Sequence, residues 1–89
     1  MIKRTFTNEQ NELRELMYRY TDRQTKLINE YKEAKEDNDV EAQVTNEVLQ
    51  RQCRIMIAEL FTTMKAVGAL DEEELEFGSI KSREVVSNA

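Results

Sequence analysis

Large or apolar side chains recur along the first third of the chain at Leu13, Leu16/Met17, Tyr20, Leu27/Ile28, Tyr31 and Ala34, with polar residues between them. Steps of three and four residues place them on one stripe of a helix, with the spacing of a coiled-coil seam. The helix opens at Thr7-Asn8-Glu9-Gln10, a capping-box pattern in which the threonine oxygen and the glutamine side chain each satisfy an orphan backbone N–H. A helix over about 8–36 is predicted, about 40–45 Å long at 1.5 Å per residue. Gln24 interrupts its seam with a polar side chain, a position suited to fixing register.

The pattern ends at Glu36-Asp37-Asn38-Asp39. Clustered Asp and Asn compete for backbone hydrogen bonds and favour turns and caps, so a turn is predicted at about 37–40. Asn38 with Glu41 reads as a second capping box. One continuous helix is the alternative, since neither proline nor glycine interrupts the segment.

A second helix is predicted over about 41–67, with Gly68 placed to cap it in a left-handed conformation. Its apolar residues form two faces. Leu49, Cys53, Met56, Leu60, Met64 and Val67 make one, widened by Ile57 and Phe61, while Val44, Val48 and Ile55 lie nearly opposite. A helix that is apolar on two sides needs two neighbours, and a hairpin partner supplies one. The expected architecture is therefore an all-α antiparallel hairpin that self-associates into a helical bundle. Its expected oligomer interface uses Val48, Ile55, Met56, Leu60, Phe61 and Met64. Beyond Gly68, residues 71–89 read as an acidic tail with at most a short helical turn.

Eighty-nine residues form one domain, and a domain this short needs help to stabilise its core. The single cysteine rules out an internal disulfide, and the absence of histidine argues against a structural zinc site or any cofactor bound through it. Self-association remains. No apolar run approaches the roughly 20 residues that cross a bilayer, and no signal peptide is visible. A reduced, cytoplasmic setting without membrane attachment is the expectation, with Cys53 as a small core hydrophobe.

The net charge of −5 is unevenly spread. The helical body is mildly basic, and the negative charge sits in the turn and the tail. The overall pI near 4.8 argues against duplex DNA as a partner but says little about a local anion site. Catalysis is disfavoured too: there is no histidine to act as base near neutral pH, no glycine-rich loop, and the carboxylates read as solvated. Arg19, Arg23 and Lys26 form a basic strip beside the seam. It reads either as a solvated face or as an anion-binding wall. Lys3-Arg4-Thr5-Phe6, before the first cap, offers two bases and an aromatic ring to a phosphate and a base, or is an ordinary terminus.

Arg4-Thr5-Phe6-Thr7-Asn8-Glu9-Gln10, Leu13, Met17, Leu27-Ile28-Asn29-Glu30 and Leu60-Phe61-Thr62-Thr63-Met64-Lys65-Ala66-Val67 together resemble the small phage proteins that sequester cyclic-oligonucleotide signals of the CBASS defence. The chain departs from that family in lacking its Gly-Phe-Met and its tryptophan at the start of the second helix. It also carries Lys65 where the family has arginine. The resemblance implies a symmetric, non-enzymatic oligomer in the host cytoplasm, holding cyclic di- or trinucleotides between protomers. It places Arg4, Phe6, Lys26 and Lys65 near the ligand, Thr62 and Thr63 as hydroxyl donors, and allows Arg19 to converge with Lys26 across protomers. The seam, the acidic tail and Ala66-Val67-Gly68 also look like a phage tail-fibre assembly chaperone, a protein-interaction module; a host-protein inhibitor is a broader version of that reading.

Overall fold

The computed structural model describes residues 5–82. Two long helices, α1 (Asn8–Glu36) and α2 (Val40–Ala66), form a hairpin, followed by a short α3 (Glu72–Phe77). The cross-links between α1 and α2 show that they run antiparallel. Gln10 Nε2 donates to the Val67 carbonyl, Cys53 Sγ–H to the Tyr20 carbonyl, Tyr31 Oη–H to Glu47 Oε1, and Gln43 Nε2 to the Ala34 carbonyl.

Local chemistry sets every boundary. Thr7 accepts from the Gln10 N–H at 3.2 Å while Gln10 Oε1 accepts from the Thr7 N–H at 2.9 Å, the expected capping box. The turn is real, but its roles are shifted by one residue from expectation. Asn38 is not the cap of α2; it adopts the left-handed conformation (φ 54°) that closes α1, with Asp39 N–H reaching back to the Ala34 carbonyl. Asp39 is the cap, accepting from the Ala42 N–H. Asparagine is among the few non-glycine residues that adopt positive φ readily, so Asn38 can close the turn. At the other end Gly68 (φ 71°) and the bond from Ala69 N–H to the Met64 carbonyl at 2.8 Å end α2 in a Schellman motif.

The core is uneven along the hairpin. At the mouth, Met17, Met64, Ala69 and Leu70 are buried together, with Leu13, Ile57, Leu60, Phe61 and Ile80 packed around them. Towards the turn only Leu27, Ala34, Cys53 and the polar Asn46 are buried. The mouth is thick because the chain after Gly68 folds back across it. The segment expected as a tail is, over residues 71–82, a third packed element. Met64, at 0% exposure, is consumed inside the protomer and is not an intersubunit residue as expected; Leu60 and Phe61 are half-buried against the same cluster. No helix among the described residues is long and apolar enough to cross a membrane.

Candidate functional site

The residues singled out for ligand contact do not converge within one protomer. Phe6 and Lys65 lie at the mouth, where Gln10 meets Val67. Lys26 stands about 24 Å further along α1 than Gln10, at 1.5 Å per residue. Arg19 and Lys26 are exposed. Asp22 and Glu30 line the same shallow groove as Arg23 and Lys26, so the strip is of mixed sign rather than a cationic wall. One face of the Phe6 ring is taken by the Arg14 guanidinium, 4.4 Å from the centroid. Thr62 and Thr63 are exposed, but their hydroxyls donate to the carbonyls of Ala58 and Glu59 one turn back. Helical threonines make this bond readily. Arg4 lies outside the described residues.

The outer face of α2 is different in kind. Val44 (56% exposed), Val48 (50%) and Ile55 (53%) all point away from α1. With Arg51, Ala58 and Thr62 they follow steps of four, three, four, three and four, a heptad spacing in which Val44, Val48, Ile55 and Thr62 are β-branched and Arg51 is charged. Val40 extends it at the turn, and Met56 is exposed on another flank of the helix. α1 already occupies the Cys53 and Met64 side, and none of the described residues covers this seam. Surfaces of this length and periodicity pack against another helix.

The strongest electrostatic feature was not anticipated. Glu74 is completely buried, and its carboxylate accepts four hydrogen bonds. Arg14 Nη1 and Nη2 reach its two oxygens at 2.5 and 3.0 Å, and the N–H groups of Asp71 and Lys81 donate at 3.0 and 2.8 Å. Arg14 also donates to the Ala69 carbonyl. Burial pushes the Glu74 carboxyl up, but Arg14 and the backbone donors outweigh it and hold its pKa below the ordinary glutamate value. Burial likewise opposes the Arg14 charge, and Glu74 more than compensates, raising that pKa. The expectation that the carboxylates are all solvated is thus corrected at this position. A signal was present: Asp71-Glu72-Glu73-Glu74 is itself a capping box, and both of its reciprocal bonds form.

The class this geometry defines is a two-helix hairpin whose mouth is latched by a short acidic helix and whose second helix presents an open seam. No family model, curated protein or solved structure matches this chain.

Proposed function

We propose that this chain is a non-enzymatic helix-binding protein that works as a self-associated bundle, with the outer seam of α2 as its contact surface. The observation that carries this reading is the exposure of Val44, Val48 and Ile55 on one heptad line of a helix whose other side is already packed. A small domain that leaves such a line in water forgoes stabilisation it can ill spare; burying a Val or Ile side chain is worth about 1.5–3 kcal/mol. Light scattering and sedimentation at micromolar concentration test it. Wild-type protein is expected as a discrete oligomer, and Val48→Glu with Ile55→Glu as a folded smaller species. A stably folded wild-type monomer would refute the reading.

A second reading, sequestration of a cyclic di- or trinucleotide, is supported by one placement. Thr62 lies on the seam line and exposed Lys65 lies beside it, so self-association along α2 carries a cation to the protomer boundary. Calorimetric titration with a panel of cyclic di- and trinucleotides tests this reading. Tight heat with one of them, reduced in Lys65→Ala, supports it. Silence across the panel leaves the protein-interaction module, an assembly chaperone or inhibitor of another protein, as the role of the bundle.

A further inference from the structure

A cleft of about 480 Å³ opens between α1 and α2 near the mouth, where the chain after α3 closes one end. Its main wall is turned away from the outer seam, since Ile57 is about 200° around the helix from Ile55, and Ala58 at the rim is shared by cleft and seam. Met17, Ile57, Phe61 and Ile80 give it apolar walls and one aromatic ring. Thr21 and Ser79 add hydroxyls to the lining, that of Thr21 already donating to the Tyr18 carbonyl, and two larger polar groups break the surface. Gln24 lines the cleft, and its Oε1, buried just behind the surface, has no hydrogen-bond partner among the described residues; a turn of the amide presents it to the cleft. Arg54 lines it from α2 and makes no ion pair or hydrogen bond among the described residues.

Buried acceptors without partners are rare and costly, so the Gln24 carbonyl calls for an explanation. Replacing it by leucine would relieve that cost, which makes a purely structural role for the carbonyl a poor one. The side chain is better understood as one half of a hydrogen bond whose other half arrives with a ligand. A cleft of this size with apolar walls and two polar anchors has the make-up of a small-molecule site.

We infer that this cleft binds a small organic anion with a flat apolar body and an N–H group, the body between Ile57 and Phe61, the N–H on Gln24 and the negative group at Arg54. Each part of the ligand answers one feature of the wall. The body replaces water against Met17, Ile57, Phe61 and Ile80. The N–H satisfies the buried carbonyl, and because a site built for a hydrogen bond rejects an analogue lacking it, Gln24 sets specificity. Arg54 contributes charge-assisted hydrogen bonds to a carboxylate. This site is intramolecular and stands whether or not the seam of α2 mediates self-association.

Indole-3-acetate carries all three parts and serves as the probe, with naphthalene-1-acetate lacking the N–H and tryptophol lacking the charge. In titrations of the full chain followed by methyl NMR, saturable shifts are expected at Met17, Ile57 and Ile80, with affinity in the millimolar range or tighter. Both analogues are expected to bind about tenfold more weakly, a ratio equal to the ~1.4 kcal/mol of one modest hydrogen bond. In Gln24→Leu the preference for indole over naphthalene is expected to collapse to about unity, a readout that a merely structural glutamine would not move. In Arg54→Met the preference for the acid over tryptophol is expected to collapse instead. Ser79→Trp, which fills the cleft from its exposed end and lies off α2, is expected to abolish binding while far-ultraviolet dichroism stays helical. The inference is overturned if no probe gives saturable shifts, if shifts arise only elsewhere, or if both preferences survive in the variants. Oligomeric mass, measured in the same samples, reports separately on the α2 seam.

Discussion

Glu74 shows how much of this fold rests on a single side chain. It ties together α1 through Arg14, the cap of α3 through Asp71 and the following segment through Lys81. Removing one partner of a buried ion pair leaves the other uncompensated, which costs about 3–5 kcal/mol. Glu74→Gln is therefore expected to lower stability by about that amount in urea denaturation, whereas Glu73→Gln, exposed and among the described residues paired with Lys81, changes it by less than about 1 kcal/mol. Combining Arg14→Met with Glu74→Leu is expected to recover part of the loss. It cannot recover all, because the N–H groups of Asp71 and Lys81 and the Ala69 carbonyl lose their partners. The same residue makes stability depend on pH. Its pKa is lowered in the folded state, as is that of Asp71, where burial is outweighed by the Glu74 N–H and Lys81. A lowered carboxyl pKa stabilises fully above the unfolded value, about 4 for these groups, and that contribution is lost as pH falls through the folded value. Melting temperature is thus expected to hold from neutral pH down to about 4 and to drop below it, with a shallower drop in Glu74→Gln.

Among the elements, α3 and the two helix ends divide the work of fixing the hairpin. The end of α2 depends on Gly68 at φ 71°, where a side chain is strained. Gly68→Ala is expected to cost about 1–2 kcal/mol and to loosen the path by which Ala69 and Leu70 enter the core. Asn38 holds the corresponding position after α1, yet the chain beyond it goes straight into α2 rather than back over the core. The two halves of the hairpin should therefore differ in local stability. Hydrogen exchange is expected to be slowest around Met17 and Met64 and clearly faster around Val40, Val44 and Tyr31, where no third layer exists. Glu74→Gln is expected to raise exchange at the mouth towards that of the turn end. Equal protection along both helices in the wild type would contradict this picture.

For the whole molecule, the proposed self-association would lay another helix along Val44, Val48 and Ile55, the exposed seam of α2. Self-association should stabilise the turn end most, since that is where the protomer lacks packing. The midpoint of thermal unfolding is then expected to rise with protein concentration in the wild type and to be independent of it in Val48→Glu with Ile55→Glu. Slower hydrogen exchange at Val44 and Val48 in concentrated samples would locate the contact.

Periodicity and capping chemistry made the two long helices, the turn and the ends at Thr7 and Gly68 readable, because each is decided by residues within four positions of one another. The two-sided character of α2 was readable for the same reason: Val44, Val48 and Ile55 lie off the stripe that faces α1. What the chain after Gly68 does was not readable. Leu70, Glu74 and Ile80 pack against or pair with residues of α1 and α2 that are far away in sequence, and an acidic run looks alike whether water or an arginine neutralises it. The place of Met64 turned on that same fact, for an apolar residue on a two-sided helix belongs to the protomer or to a neighbour according to what folds over it. Local sequence fixes helices and their limits, while the partners of a buried charge and the owner of an apolar face are set only when distant segments meet.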